Sequence, residues 1–186
     1  MKELKTRISL MPIHAVVMCI TAILSLIAIF IPMFELFVQY KKQKVYSLFS
    51  LILDPEVTVG LRDGMVALDF KMFGALMFTL TIIISVAATT LALGFQLYSD
   101  NRTKKRLGCL SVMVLFVLRL IIHTYTLSHF VTDKMIADNN MTSQRLYVVQ
   151  TLTGNILAIL LVIGIFACIY GALGLRMSMK LLAYPY

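Results

Sequence analysis

The sequence predicts an all-α membrane protein: a bundle of four transmembrane helices with both termini in the cytoplasm and a small extracytoplasmic first loop. Of 186 residues, 60% are hydrophobic and 14% are charged. Soluble domains have about 45–50% apolar and about 25% charged residues. Four apolar stretches reach the roughly 20 residues that a helix needs to cross a bilayer. Basic residues cluster on one side of these stretches, which sets the predicted orientation.

The predicted spans cover residues 10–37, 72–98, 107–130 and 146–175, within one domain of residues 1–186. Membrane-spanning strands alternate apolar and polar residues, and the run from Leu76 to Ile84 does not. Lys2, Lys5 and Arg7 precede the first span and are also typical of a signal peptide. Because its apolar run is too long and no small-residue cleavage site precedes Lys41, we expect it to be retained as a helix.

The orientation follows from the basic residues. Nine lie in the amino tail, the loop between the second and third spans, and the carboxyl tail: Lys2, Lys5, Arg7, Arg102, Lys104, Lys105, Arg106, Arg176 and Lys180. Seven lie on the other side: Lys41, Lys42, Lys44, Arg62, Lys71, Lys134 and Arg145. Short loops dominate orientation, so we expect cytoplasmic termini in the plasma membrane. The net charge of +8 then indicates attraction to anionic lipid, not to nucleic acid.

The outer loop, residues 38–71, carries two local patterns. Val45, Leu48, Phe49 and Ile52 have i, i+3, i+4, i+7 spacing, which predicts a short amphipathic helix on the membrane surface. The alternative is a packed loop that covers the bundle.

The second pattern of the outer loop is a turn signal. β-branched residues lie on both sides of Asp63-Gly64, which predicts a β-hairpin over 57–68. Such a hairpin needs a surface to rest on, because an isolated one is marginally stable. The alternative is that the second helix begins at Met65.

Several polar residues lie at membrane depth. Arg119 and His123 share one face of the third span at i, i+4 spacing, and an intramembrane ionisable residue is a functional hypothesis by default. Helical rise places Asn155 and Thr79 near the same depth, with Glu35 as the counter-ion for Arg119 by sign. These residues predict either a hydrogen-bonded layer that fixes the helix register or a polar cavity that holds an anion, a lipid headgroup or a proton.

Small residues form stripes on two of the spans. On the second span and near the inner end of the fourth, the stripes comprise Gly74, Ser85, Ala88, Gly164, Ala167, Gly171 and Gly174. Small residues let membrane helices approach closely. We expect packing within the chain more than docking of a partner.

No catalytic chemistry is indicated by the sequence. It contains no Cys-x-x-Cys, no His-Glu-x-x-His and no phosphate-binding glycine loop, so neither a metal nor another cofactor is expected. Cys19, Cys109 and Cys168 all fall within predicted helices. With a larger first outer loop and a shorter second one, the layout resembles tetraspan families such as the claudin-like proteins in topology alone. The chain has no tryptophan and no outer cysteine pair, so the claudin signature is absent.

The sequence therefore predicts a non-catalytic accessory or scaffold subunit. It would contact membrane lipids and bind a membrane-protein partner, or a second copy of itself, through its helix faces and outer loop. The alternative is a small oligomeric transporter or channel protomer with Arg119 and His123 in its polar site. A third hypothesis is an enzyme that acts on lipid within the membrane.

Overall fold

The computed structural model describes residues 11–38, 41–61, 64–99, 101–130, 136 and 146–173. Within these residues the helices are α1 (Ile13–Ile27), α2 (Ser50–Leu53), α3 (Lys71–Leu93), α4 (Arg102–His129) and α5 (Leu152–Ala172). A π-helical turn, Gly94–Tyr98, continues α3. The strands are β1 (Phe34–Val38), β2 (Lys41–Tyr46), β3 (Glu56–Leu61), β4 (Gly64–Asp69) and β5 (Leu146–Gln150).

Three of the helices are long and apolar enough to cross a membrane. They are Lys71–Tyr98, Arg102–His129 and Leu152–Ala172, and α1 is a shorter apolar helix. Large apolar side chains are exposed on all four, including Ile20, Ile83, Val114 and Phe166. Water would oppose such exposure, whereas lipid tails favour it. The chain is therefore an integral membrane protein.

The chain divides into two compact units. The first, here called the helical unit, comprises the described parts of residues 1–26, 83–119 and 159–186. In it, α5 approaches α1 and α4 closely at two glycines. A Cβ at Gly171 would lie 2.7 Å from Cys109 Sγ and 2.8 Å from His14 Cδ2. Seven residues away, a Cβ at Gly164 would lie 2.7 Å from Thr21 Cγ2 and 2.8 Å from Phe116 Cε2.

These contacts fix the directions of the helices within the unit. From Gly171 to Gly164, the residue number on α5 falls by seven. Over the same distance the contacting residue rises by seven on α1, from His14 to Thr21, and on α4, from Cys109 to Phe116. Thus α1 and α4 are parallel and in register, and α5 is antiparallel to both. The α3 helix is antiparallel to α1, because Ser25 Oγ bonds Ser85 Oγ while Thr89 Oγ1 donates to the Ala22 carbonyl.

The second unit, here called the sheet unit, comprises the described parts of residues 27–82 and 120–158. Its main sheet has the order β2-β1-β5 and is antiparallel, with Phe34 opposite both Tyr46 and Gln150. Along β1 buried and half-buried side chains alternate, which is the period of a strand with one core face. A bulge lies between Leu36 and Phe37 in the pairing with β2.

An aromatic cluster forms the core of the sheet unit. The ring of Phe130 lies 4.6 Å from that of Phe70, 5.8 Å from that of Tyr46 and 6.0 Å from that of Phe73. Phe34 stacks on Phe130 at 6.1 Å. Rings at these separations attract one another beyond their hydrophobic burial. The cluster joins β1, β2, the end of β4 and the end of α4.

Tyr46 gives this core a pH dependence. Burial raises the pKa of the Tyr46 phenol above its ordinary value of 10.0, and the charge of Asp54 raises it further. The free energy of unfolding is therefore unaffected by this ionisation below about pH 10 and falls as pH rises above it, because the unfolded chain ionises first. Tyr46→Phe is expected to remove this loss.

Tyr46→Phe is also expected to raise stability by about 1 kcal/mol at neutral pH, because the phenol oxygen is buried without a hydrogen-bond partner among the described residues. Thermal unfolding of both proteins at about pH 8 and about pH 11 measures the two effects. An equal fall in melting temperature for both proteins between these pH values would contradict the assignment.

Two segments predicted as helix are strands, so the all-α prediction is wrong at these places. The first helix ends at Ile27 and residues 34–38 form β1. Pro32 lacks the N–H that would continue the helix, and its carbonyl accepts from the hydroxyls of Thr151 and Thr153. The helix predicted over 146–175 begins only at Leu152, because residues 146–150 pair with β1 as β5.

In the outer loop, the predicted hairpin is present and the predicted amphipathic helix is not. β3 and β4 form the predicted hairpin, with Glu56 opposite Asp69 and Leu61 opposite Gly64, and α3 begins only at Lys71. The predicted amphipathic helix over 45–52 is wrong. Val45 belongs to β2, and the turn after it is closed by reciprocal bonds between Ser47 and Ser50. Only Ser50–Leu53 is helical.

Candidate polar site in the helical unit

Arg119 is the largest fully buried side chain among the described residues, with 1% of its surface exposed. It lies on α4, three residues beyond Phe116, whose ring packs against Gly164. None of its three guanidine nitrogens has a hydrogen-bond partner among the described residues. A buried cation without a partner is costly in a low-dielectric interior, so Arg119 marks the candidate site.

The hydroxyl groups of Ser25 and Ser85 lie at about the same level of the helical unit as Arg119. Thr21 and Phe116 meet at Gly164, and Ser25 and Arg119 lie four and three residues farther along the parallel helices α1 and α4. At about 1.5 Å of rise per residue, their backbones lie within roughly 2 Å of one level. Ser25 Oγ bonds Ser85 Oγ at 3.2 Å, in a buried position.

The helical unit offers no carboxylate to Arg119. Its described residues, 11–26, 83–99, 101–119 and 159–173, include neither aspartate nor glutamate. Besides the serine pair, its buried polar side chains include Thr21 and Gln96. Gln96 Nε2 lies 3.4 Å from Cys109 Sγ, ten residues along α4 from Arg119. The unit therefore holds a positive charge that its own described residues do not balance.

His123 lies one turn beyond Arg119 on α4 and belongs to the sheet unit. Its Nε2 accepts a hydrogen bond of 2.7 Å from Gln150 Nε2, and its ring lies 5.7 Å from that of Phe34. Thr126, also buried, donates to the Ile122 carbonyl. Sequence reasoning missed Gln150, whose only signal is a lone amide at the end of an apolar run.

The other predicted members of the polar cluster lie elsewhere. Glu35 is half-buried on β1, on the face opposite Phe34 and Leu36. Thr79 is exposed and donates to the Ala75 carbonyl, and the side chain of Asn155 is exposed on α5. The Glu35–Arg119 pair would join the two units and stays a prediction.

Four of the seven predicted packing residues lie at close contacts within their own unit. Gly164, Gly171 and Ser85 contact other helices of the helical unit, as described above, and Ala88 is buried there. Ala167 is half-buried, and Gly174 lies outside the described residues. In the sheet unit, a Cβ at Gly74 would lie 2.9 Å from Leu51 Cβ. The small residues thus admit neighbouring elements of the same chain.

Of the four residues predicted to form the surface of the outer loop, two are buried or half-buried and two are exposed. Leu48 is buried and Val45 is half-buried, while Phe49 and Ile52 are exposed. Phe49 remains in contact with other apolar groups, since its ring lies 5.1 Å from that of Phe30 and 6.1 Å from that of Phe78. The exposed apolar edge of the turn is therefore formed by Phe49, Ile52 and Leu53.

Metal or thiol chemistry receives no support from the described residues. No group of three or more His, Cys, Asp or Glu side chains among them could hold a metal ion, and Cys19, Cys109 and Cys168 are free and buried. Comparison with family models, curated proteins and solved structures finds no match. Fold and site thus define an integral membrane protein with a buried arginine that has no hydrogen-bond partner among the residues described.

Proposed function

We propose that this chain is a non-catalytic, four-span membrane protein that acts as an accessory or scaffold subunit, with its outer loop as the recognition element. Both termini would be cytoplasmic. The observation that carries the proposal is the β3–β4 hairpin. Among the described strands, β3 and β4 pair only with each other, so no described strand occupies their outer edges. An unpaired edge is the part of a sheet to which a partner strand can be added.

The hairpin is anchored at its base, and the side chains described on one of its faces are exposed. Leu68 and Phe70 are buried, and the Phe70 N–H donates to the Pro55 carbonyl at 2.9 Å. Thr58 and Ala67, which are opposite each other, are exposed. Because the buried groups described for the hairpin lie at its base, and a two-stranded hairpin is by itself only marginally stable, we infer that the hairpin serves in binding.

Partner capture tests the scaffold proposal. The tagged protein is purified from its native membrane in mild detergent, and its mass is measured by native sizing and mass spectrometry. A stoichiometric partner or a defined homo-oligomer is expected. Replacing residues 58–67 by a short Gly-Ser turn should abolish the assembly while leaving the melting temperature of the chain unchanged. Tyr98→Ala, which alters an exposed side chain on the π-helical turn, serves as the control.

Two results would contradict the scaffold proposal. The first is a wild-type chain that purifies without partner or second copy. The second is an assembly that survives loss of the hairpin arms, which would remove the outer loop as the recognition element.

The four-span topology makes a separate prediction. An epitope inserted at Arg62-Asp63, between β3 and β4, is expected to be labelled on intact cells. Epitopes at either terminus should be labelled only after the membrane is permeabilised. The short α1, with 15 residues, would span with the apolar residues that follow it. An amino-terminal epitope that is labelled on intact cells would contradict the proposed topology.

A transporter or channel protomer is the second candidate, favoured by the burial of Arg119 without a hydrogen-bond partner in the described part of the chain. Polar groups inside membrane helices often line substrate pathways. The two candidate functions predict different results for one variant, Arg119→Leu. In a transporter, Arg119→Leu should abolish flux in proteoliposomes while the protein stays folded. In a scaffold, assembly should depend on the hairpin and be unaffected by a folded Arg119 variant.

A further inference from the structure

We propose that Arg119 binds a small monovalent anion inside the helical unit, with the hydroxyls of Ser25 and Ser85 as neighbouring donors. The proposal concerns a binding site and holds for either candidate function. Its starting point is the set of three guanidine nitrogens, all buried and all without a hydrogen-bond partner among the described residues.

The charge of Arg119 requires a counter-charge. A guanidinium stays protonated in proteins and has only donors, so the groups that satisfy it must be acceptors. Within the described residues of the helical unit no side chain carries negative charge. The ordinary outcomes for a buried charge are pairing or ligand binding. A bound anion provides both the acceptor atoms and the missing charge.

The serine pair adds a donor at the same level. Two hydroxyls that share one hydrogen bond use one hydrogen between them, so the other hydrogen is available to an acceptor. Ser25 and Arg119 lie at one level of the parallel helices α1 and α4, as derived from the contacts at Gly164. A guanidinium and a hydroxyl donor that are both buried at one level of the helices would together suit a halide or a small carboxylate.

Burial and charge restrict the ligand class. Because 1% of Arg119 is exposed, a carboxylate on the helix of a partner protein would have to separate the helices to reach it, and a small ion needs a smaller opening than any such side chain. One guanidinium balances one negative charge, so a dianion such as sulfate would leave an uncompensated charge in the interior. These arguments favour chloride, with formate as the carboxylate of similar size.

Chloride binding is measured on the full chain in a zwitterionic detergent. The linewidth of the ³⁵Cl NMR signal is recorded as the protein is titrated, and melting temperature is followed as chloride replaces gluconate at constant ionic strength. We expect excess linewidth that bromide displaces, and a saturable rise in melting temperature. Arg119→Leu should lower chloride affinity by at least about tenfold. Arg106→Leu, an exposed arginine on the same helix, should have no effect.

Further samples separate the possible sources of the anion and guard against a variant that does not fold. Phosphatidylglycerol or inorganic phosphate is added to chloride-free protein, and Ser85→Ala and Arg119→Lys are made beside Arg119→Leu. Ser85→Ala should weaken chloride binding while the protein stays folded.

The wild-type titration alone decides whether chloride binds, so the proposal does not depend on the folding of any variant. Absence of excess linewidth in the wild type would overturn it. Linewidth that survives in a folded Arg119 variant would overturn it as well. Stabilisation by phosphatidylglycerol but not by chloride would replace the small anion with a lipid headgroup.

Discussion

Replacement of Gly164 by leucine is expected to prevent the helical unit from folding. A Cβ at this position would already lie 2.7 Å from Thr21 Cγ2 and 2.8 Å from Phe116 Cε2, closer than real Cβ atoms approach. Leucine would add three further carbons, so α5 would have to separate from α1 and α4. We expect the free energy of unfolding to fall by about 3 kcal/mol, the upper end of the usual cost of overpacking and a large part of the roughly 5–15 kcal/mol available to a domain.

The measurement is the monodisperse fraction of a fluorescent fusion in mild detergent, with its melting temperature. Gly94→Leu is the matched control, because nothing lies within 4 Å of a Cβ at Gly94. Its cost should be small, and Gly164→Ala should lie between the two. If Gly164→Leu purified with the wild-type melting temperature, the close approach of α5 to α1 and α4 would be wrong.

The helical unit was largely predictable from its sequence. The stripe containing Gly164 and Gly171 indicated close helix packing, and the structure contains such contacts at both residues. Apolar length predicted the spans at 72–98 and 107–130 to within a few residues of Lys71–Tyr98 and Arg102–His129. Length and small-residue spacing are local properties, so they can be read without knowledge of the tertiary fold.

The main sheet was not predictable by the same criteria. Residues 34–38 follow directly on an apolar helix, and residues 146–150 directly precede another, so both were absorbed into long apolar stretches. Their pairing, with Phe37 opposite Tyr147, joins residues more than one hundred positions apart. Pro32 was the local sequence signal that α1 ends before β1. The hairpin, by contrast, carries its own turn signal at Asp63-Gly64.

The ionisable residues of the candidate site could be predicted from the sequence, but the residues that contact them could not. Arg119 and His123 were identified by depth, because an ionisable residue within an apolar span is conspicuous. Asn155 and Thr79 were placed with them by depth alone, yet depth does not fix the direction in which a side chain points, and both are exposed. Gln150, which donates to His123, could not be foreseen while residues 146–150 were read as helix.

Replacement of Phe130 by alanine is expected to disrupt the sheet unit. Phe130 is 1% exposed, and its ring contacts those of Phe34, Tyr46, Phe70 and Phe73. Removing a fully buried phenylalanine typically costs about 3–5 kcal/mol, through lost burial and the cavity that remains. Because the lost ring touches β1, β2 and the end of the hairpin, we expect all three to become accessible together.

Hydrogen exchange distinguishes disruption of the sheet unit alone from unfolding that includes the helical unit. Amides of 34–38, 41–46 and 64–69 should exchange faster in Phe130→Ala, whereas those of α5 beyond Ile159 should remain protected. Phe166→Ala is the matched control, because that side chain is 66% exposed on α5 and leaves no buried cavity. Uniform acceleration in both units would show that they unfold as one cooperative body. Unchanged exchange in Phe130→Ala would show that the aromatic cluster does not stabilise the sheet.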